Sequence, residues 1–255
     1  MPIARQRRQR SLSHAILVFC SLMLSHDLWA AAKTVDIAII IDDIGYQWQI
    51  DHRAVTLPYP LTYSFIPAAP YTEKLASLAH DHNKEVMLHL PMQSISNQDA
   101  EKTAIRLDMN MEQIGEVLWN GLAEVPFAIG INNHQGSLIT QHPGHMQWLM
   151  QWLRGTDLYF VDSLTSEQSV AGQIARANGI PSLQRDIFLD HDPSPRAIEI
   201  QFDKLLHLAR QKGIALAIGH PYPATINMLV RRLPELQQQG FRLQSVSKLI
   251  QHRSR

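Results

Sequence analysis

The feature that most constrains the fold of this chain is a regular alternation of apolar runs and amphipathic segments after residue 34. Nearly continuous apolar runs such as residues 35–41 are typical of strands that are buried on both faces. Segments such as residues 110–125 carry apolar side chains at helical spacing, and Asn110 can cap that helix. The patterns predict strands over residues 35–41, 61–66, 85–90, 127–131, 158–161, 181–184, 214–218 and 241–244. They predict helices over residues 72–82, 110–125, 145–153, 167–178, 195–211, 224–239 and 246–250, with Ser166 as a cap and Pro234 as a break.

Strands that alternate with helices predict a parallel sheet with crossover helices. An open doubly wound sheet and a closed (β/α) barrel both satisfy the pattern. No G-x-G-x-x-G follows the first strand and no G-x-x-x-x-G-K-[ST] occurs in the sequence. These absences exclude the dinucleotide-binding open sheet and the P-loop enzymes.

Composition narrows the class of protein further. Hydrophobic residues make up 45% of the 255 residues and charged residues 18%, which is enough apolar material for a full core. Lys and Arg number 23, as do Asp and Glu, so the formal net charge is zero. A general nucleic-acid-binding protein is expected to be basic, and we therefore expect no nucleic-acid partner.

The N-terminal residues 1–32 have the pattern of a secretory signal peptide. Four arginines precede an apolar run over residues 15–24, and Ala30, Ala31 and Ala32 supply small residues for a cleavage site. The run is short for a membrane span, which needs about 20 residues, although an uncleaved anchor is the alternative. Cleavage also removes Cys20, the only cysteine, and a chain without thiols suits an oxidising compartment. We therefore expect a periplasmic protein with one domain over residues 33–255 and no stable membrane span after cleavage.

Polar residues with catalytic potential follow most of the predicted strands. In parallel α/β folds the carboxyl ends of the strands gather the active site. These positions hold Asp42 and Asp43, Asn132 to His134, Asp162 and Ser163, Arg185 and Asp186, and His220, and His89 lies in the last part of the third strand. Each has a structural alternative, since paired aspartates can cap a turn and His89 lies between two leucines.

One carboxylate and two imidazoles form a three-ligand set that leaves a zinc position open for water. Zinc lowers the pKa of that water and polarises a bound carbonyl. A second carboxylate can then act as general base, and a separate histidine can protonate the leaving group. Asp42, Asp43, His89, His134 and His220 supply all of these groups.

Six motifs carry a resemblance to a known family. They read AIIIDDIG (residues 38–45), MLHLPM (87–92), GINNHQGS (130–137), FVDSLT (160–165), RDIFLD (185–190) and IGHP (218–221). In this order they resemble the divergent polysaccharide deacetylases, over almost the whole chain from about residue 35 to about residue 250. The resemblance implies a distorted (β/α) barrel of the glycoside hydrolase/deacetylase type, with seven to eight parallel strands. It also implies descent from metal-dependent carbohydrate esterases that remove acetyl groups from amino sugars.

The resemblance assigns roles to individual residues. By the match to T-F-D-D-G, Asp42 is the base and Asp43 a metal ligand. His89 matches the first histidine of H-[ST]-x-x-H, but Gln93 stands where the second is expected, and His134 is the substitute ligand. His220 matches the histidine that acts as acid.

The R-P-P-Y-G motif of the ordinary deacetylases is not recognisable, and residues 132–137 take its place. The resemblance implies a divalent metal cofactor, with zinc as the expected ion. It also implies a carbohydrate or peptidoglycan-type substrate. The residues assigned to substrate contact, or to orientation of the base, are Asn133, Asp162, Arg185, Asp186 and Asp190.

Three functions remain open at this stage. The first is a periplasmic metal-dependent deacetylase acting on an envelope or other glycan. The second is a catalytically inactive barrel that binds glycan or a cell-wall-remodelling partner, and no particular protein partner is indicated. The third is a glycoside hydrolase, which also needs paired carboxylates. It ranks last because adjacent residues such as Asp42 and Asp43 rarely face each other across a sugar ring.

The signal-peptide interpretation predicts cleavage next to Ala32. The full-length chain, expressed in a Gram-negative host and recovered from the periplasm, should give an N-terminal sequence that begins near Lys33. A periplasmic protein that retains Met1 would contradict cleavage and would favour the anchor.

Overall fold

Nine parallel strands form one sheet in the computed structural model, which describes residues 34–96 and 103–253. Eight of them follow the order β6-β5-β4-β3-β2-β1-β8-β7, and this part of the sheet curls into a half-barrel. β9 pairs with the first residues of β1. The strands are β1 (Val35–Ile44), β2 (Thr62–Phe65), β3 (Glu85–Met92), β4 (Ala128–Gln135), β5 (Tyr159–Asp162), β6 (Ser182–Gln184), β7 (Ile187–Phe188), β8 (Ile214–Gly219) and β9 (Phe241–Leu243). This architecture confirms the predicted distorted (β/α) barrel of seven to eight parallel strands.

Helices connect most of the successive strands, although β6 and β7 are joined directly, and all the helices but the last pack with the apolar cluster on the outer face of the sheet. The helices are α1 (Trp48–Val55), α2 (Thr72–Asp81), α3 (Met111–Glu124), α4 (Pro143–Leu153), α5 (Ala171–Ala177), α6 (Pro195–Lys212), α7 (Pro223–Arg232) and α8 (Val246–Arg253). Asn110 and Gln113 form a reciprocal capping box at the start of α3, as the sequence predicts for Asn110. Within the described ranges no helix is both long and apolar enough to cross a bilayer. The predicted signal peptide lies outside the described residues.

The sheet separates two apolar clusters, because side chains alternate between the faces of a strand. In β1, Ile37, Ile39 and Ile41 pack with the surrounding helices. Ala38 and Ile40 face the barrel interior, where they pack with side chains of the other strands and of α8. The same alternation runs through β3, β5 and β8. Each strand therefore contributes an inner row of side chains that leads toward its carboxyl end.

Tertiary contacts account for the elements that the sequence patterns miss. α1 has only eight residues, and the buried Asp51 fixes its start by accepting backbone N–H bonds from Gly45 and Gln47. β7 has only two residues, and it forms because it pairs with Ala217 and Ile218 of β8. α5 begins at Ala171, four residues after the predicted start, and Ser166 accepts a hydrogen bond from the Gln168 amide in the preceding turn.

Asp36 joins β1, β9 and α8 at the amino-terminal end of the barrel. Its carboxylate accepts hydrogen bonds from Arg242 Nε (2.6 Å) and Nη2 (2.9 Å), Gln244 Nε2 (2.8 Å) and His252 Nδ1 (2.8 Å). Burial alone would raise the pKa of Asp36, but the bonds from Arg242, His252 and Gln244 lower it to about 2. The ionised form is therefore the one that the folded state stabilises.

Replacement Asp36→Asn should reduce the free energy of unfolding at pH 7 by about 1–2 kcal/mol, allowing for screening at the exposed Arg242. Because the folded-state pKa lies below the unfolded one, this stabilisation is present above about pH 4 and is lost as the pH falls through about 2. Urea titrations of both proteins from pH 7 to pH 2 should therefore converge at the acid end. The control Asp203→Asn removes an exposed partner of Arg232 and should change stability little at any pH. A constant difference between Asp36→Asn and the unsubstituted protein across this range would contradict the prediction.

Candidate metal centre

The inner rows of four strands change from apolar to polar where they reach the carboxyl rim. Ala38 and Ile40 lead to Asp42, and Met87 leads to His89. Leu216 and Ile218 lead to His220, and in β4 the row ends in Asn132 and His134. β3 and β4 run past the predicted ends to Met92 and Gln135, so His134 is a strand residue and not the predicted loop residue, while His89 lies in its strand as predicted. Their positions are consequently fixed by the sheet ladder.

A β-bulge at the end of β1 places two consecutive carboxylates on the same side. The register of β1 with β2 shifts between Ile41 and Ile44, and Asp43 has a φ of 59°. Regular alternation would direct Asp43 toward the helices, but the bulge turns it back toward His89 and His134. The turn continues through Gly45, where a Cβ atom would lie 2.3 Å from Thr72 Oγ1. Glycine is required there both because of this close approach and because its φ is 134°, while the left-handed residue that reorients the carboxylate is Asp43.

Asp43, His89 and His134 converge on one point. Asp43 Oδ1 lies 3.2 Å from His89 Nε2 and 3.0 Å from His134 Nδ1, and the three ligand atoms lie within 4.8 Å of one another. Asp43 Oδ1 is nevertheless buried without a hydrogen-bond partner. In tetrahedral zinc sites, bonds of about 2.0–2.2 Å place neighbouring ligand atoms about 3.3 Å apart. The unpaired buried oxygen and these separations fit a divalent cation held by the three residues that the sequence predicts.

Asn132 forms hydrogen bonds that hold both His89 and Asp42 in place. It is fully buried, and its Oδ1 accepts hydrogen bonds from Ser64 Oγ (2.5 Å) and from His89 Nδ1 (2.8 Å). With Nδ1 donating to Asn132, the Nε2 lone pair of His89 is directed toward Asp43. Asn132 Nδ2 donates to both oxygens of Asp42, at 2.9 and 3.1 Å. The sequence places Asn132 beside the predicted residues, but only the inner row of β4 reveals that it supports both His89 and Asp42.

His220 approaches Asp43 from the opposite side, supported by Asp190. His220 Nδ1 lies 2.8 Å from Asp190 Oδ1, and its Nε2 lies 3.6 Å from Asp43 Oδ2. The second oxygen of Asp190 accepts bonds from the His220 amide and from Thr225 Oγ1, both at 2.7 Å. Asp190 is buried and has no free face for a substrate, so its contacts make it the residue that orients His220.

The close charges shift the ionisation of the centre. Burial would raise the pKa of Asp43, but contacts with His134 and His89 lower it well below its usual range. Burial raises the pKa of Asp42 despite the opposing charge of His89. Burial would lower the pKa of His220, but Asp190, Asp43 and Asp42 raise it to about 9. A cation bound to Asp43 would weaken the contribution of Asp43, while the hydrogen bond with Asp190 would persist.

Asn133 and Asp162 lie on the outward rows of β4 and β5 and are buried. Asp162 accepts bonds from Leu164 N, Ser169 Oγ and Gly172 N, which tie it to the segment leading into α5. Asn133 bonds the amide of Ser163 and the carbonyl of Gln135. Both side chains order the loops at the carboxyl ends of the strands. Their contact with substrate stays a prediction.

Arg185 and Asp186 are also engaged by the protein. Arg185 donates to the carbonyls of Ser163 (2.6 Å) and Leu164 (2.8 Å) and so holds the loop after β5. Asp186 precedes β7 and accepts bonds from Lys212 Nζ and from the Leu216 amide. Asp186 therefore lies toward the amino-terminal side of β7 and β8, apart from the carboxyl rim. Substrate contact by these residues stays a prediction, and their observed contacts are structural.

Comparisons with known proteins agree with these motifs. Residues 39–250 match the profile of the divergent polysaccharide deacetylase family. The chain is 36% identical over 214 residues to the uncharacterized protein YibQ of Escherichia coli K12, covering 84% of this chain but only 66% of that protein. It is 37% identical over 222 residues to an uncharacterized protein of Haemophilus influenzae, covering 86% of this chain and 78% of that protein.

Solved structures share the fold. An uncharacterized protein from Agrobacterium tumefaciens C58 superposes with a TM-score of 0.82 at 21% identity, covering 87% of this chain and 91% of that one. The peptidoglycan deacetylase PdaC of Bacillus subtilis gives a TM-score of 0.51 at 12% identity, covering 88% and 94%. A CE4 family pseudoenzyme from Bacillus anthracis also gives 0.51, at 13% identity, covering 86% and 66%. The architecture is thus that of the deacetylases, and it occurs in both active and inactive proteins.

If Asp43, His89 and His134 hold the metal, replacing any one of them should reduce the metal content of the protein. Single replacements Asp43→Ala and His89→Ala should each remove most of the bound divalent metal, because a three-ligand site loses much of its chelation with any one member. Asn132→Ala should weaken metal affinity by about 10–100-fold, as expected for a residue that orients a ligand. Elemental analysis of untagged protein and competition with a chelator provide the measurements. The control His207→Ala changes an exposed imidazole on α6 and should leave the metal content unchanged. Stoichiometric metal in Asp43→Ala or His89→Ala would refute the ligand set.

Proposed function

Because the chain belongs to the divergent polysaccharide deacetylase family, we propose that it is an exported, metal-dependent hydrolase that removes N- or O-acetyl groups from a carbohydrate. The observation that carries the proposal is the facing arrangement of the Asp43, His89 and His134 set with His220. Asp43 lies between the two groups, with one oxygen toward His89 and His134 and the other 3.6 Å from His220 Nε2. A reacting carbonyl near Asp43 would therefore be within reach of a metal held by the three ligands and of the His220 imidazole.

Asp43 Oδ1, His89 Nε2 and His134 Nδ1 would hold the metal, with zinc proposed as the ion. When bound, the cation supplies Lewis acidity to the acyl carbonyl. Asp42 accepts the proton of the attacking water on a carboxylate oxygen, and burial suits it to this task by raising its pKa. His220 donates a proton from Nε2 to the departing amine or alcohol. Asp190 holds the opposite ring nitrogen and keeps Nε2 directed at the reacting group.

The alternative function is a catalytically inactive barrel that binds glycan. Sharing the fold with a pseudoenzyme shows only that the architecture permits this outcome. The hydrogen-bonded Asp190–His220 pair beside the centre favours catalysis, since binding alone has no need of a histidine that a buried carboxylate orients. Export to the periplasm is part of the proposal, because envelope glycans are the acetylated substrates that an exported deacetylase would meet.

Replacements Asp42→Asn and His220→Gln should each lower acetate release by about 10²–10⁴-fold, the usual contribution of a general acid or base. Acetate released from acetylated chito-oligosaccharides and peptidoglycan fragments is the measurement. Metal content should stay close to that of the unsubstituted protein, because neither residue belongs to the ligand set.

The matched control for this test is Asp108→Asn, which changes an exposed carboxylate outside the centre and should retain full activity. Near-normal turnover in Asp42→Asn or His220→Gln would remove that residue from the mechanism. No acetate release by the unsubstituted, metal-loaded protein on any of these glycans would instead favour the non-catalytic barrel.

A further inference from the structure

The strand that carries His134 ends in a turn of two consecutive left-handed residues. Gln135 is the last residue of β4 and has a φ of 53°, and Gly136 follows with a φ of 86°. Glycine adopts a left-handed backbone freely, and a Cβ atom at Gly136 would also lie 2.8 Å from Met92 Cβ. Glutamine adopts this backbone only where its surroundings hold it, so the Gln135 peptide needs support from other residues.

Two side chains hold the carbonyl group of Gln135. Asn133 Nδ2 and Thr165 Oγ1 each donate a hydrogen bond to this oxygen, and both distances are 2.8 Å. Asn133 is buried, and its Oδ1 accepts the Ser163 amide at 2.8 Å, which ties the turn to the loop after β5. The carbonyl oxygen therefore has both of its acceptor positions filled, and the Gln135 peptide is fixed from β5 as well as from β4.

The loop that carries Thr165 is itself held in place. Leu164 precedes Thr165 and is left-handed, with a φ of 50°. Arg185 donates to the carbonyls of Ser163 (2.6 Å) and Leu164 (2.8 Å), so one guanidinium fixes two consecutive peptides of the loop. The Thr165 hydroxyl consequently reaches the turn after β4 from a well-anchored loop, and its hydrogen bond can resist relaxation of that turn.

The Gln135 side chain faces the predicted ligand itself. Its terminal amide lies 3.4 Å from His134 Nε2, while Nδ1 of the same ring faces Asp43. A neutral imidazole that binds a cation through Nδ1 carries its proton on Nε2, and this N–H needs an acceptor. Half a turn of the amide presents its oxygen to that proton. Gln135 can therefore orient His134 as Asn132 orients His89.

We propose that Gln135 is the positioning residue for the metal ligand His134, and that Asn133 and Thr165 act through it by holding its left-handed peptide. The inference rests on the proposed function, because it concerns how one ligand of the same centre is held. It gives the loop after β5 a role in metal binding, although none of its residues belongs to the ligand set.

The test measures two properties of the untagged protein: its affinity for Zn²⁺, by competition with a chelator, and the visible absorption of its Co²⁺-loaded form, which reports ligand geometry. Gln135→Leu removes the amide, and Thr165→Val removes the hydroxyl, at nearly constant size. Each should change the Co²⁺ spectrum and weaken Zn²⁺ binding by about tenfold, the lower end of the range for residues that orient a ligand. Thr165→Ser restores the hydroxyl and should remain within about threefold of the unsubstituted protein.

Two controls remove the same kinds of contact away from the centre. Gln211→Leu deletes an amide that lies 2.9 Å from His207 Nε2 on α6. Thr156→Val deletes a hydroxyl that donates to the Leu153 carbonyl at the end of α4. Both controls should leave the Zn²⁺ affinity and the Co²⁺ spectrum unchanged, because neither contact reaches a ligand.

Unchanged Zn²⁺ affinity in Gln135→Leu or in Thr165→Val would overturn the inference, and so would losses of the same size in the two controls. Absence of Zn²⁺ binding by the unsubstituted protein would overturn both the inference and the ligand set. Acetate release, measured in parallel, separates the inference from the proposed function. Weaker Zn²⁺ binding by the two variants, with no acetate release by the unsubstituted protein, would support the positioning role and refute the hydrolase alone.

Discussion

The structure depends above all on the bulge that ends β1, because it brings Asp42 and Asp43 together on one side of the sheet. In a regular strand, consecutive side chains lie on opposite faces, and one of these carboxylates would point toward the helices on the outer face of the sheet. The left-handed backbone at Asp43 costs conformational energy that the surrounding structure must offset. The buried carboxylate of Asp51, which holds the following turn through two backbone amides, and the contact of Gly45 with α2 provide that support.

Two aspartates placed this close repel each other, and a network of neutral and basic groups makes the arrangement stable. Asn132 donates to both oxygens of Asp42 and accepts from His89, so one amide satisfies a carboxylate and fixes a histidine tautomer. His89 and His134 face Asp43 without forming hydrogen bonds to its buried oxygen. A buried polar atom left in that state is costly in a purely structural cluster, and a cation bound there would remove the cost.

Much of the fold and of the centre follows from sequence patterns, for identifiable reasons. Apolar runs predict the long strands correctly because burial on both faces demands them, and the capping box at Asn110 marks the start of α3. Asp43, His89 and His134 can be selected because the carboxyl ends of parallel strands share a rim. β7 and α1 escape prediction because their short, mixed sequences are stabilised by pairing with β8 and by Asp51, respectively. Patterns that average over a window cannot detect such contacts.

The sequence by itself determines the alternation of strands and helices, the family, and the residue types available for chemistry. Only the tertiary structure decides which of the polar residues at the strand ends face the barrel interior and which face the helices. It directs Asp162 and Asn133 outward to order rim loops, and it assigns Asp190 to His220. The physical reason is that a side chain's direction depends on strand parity, bulges and register, which are settled by pairing with strands distant in sequence. A polar residue at a strand end is thus visible in the sequence, but the face to which it belongs is not.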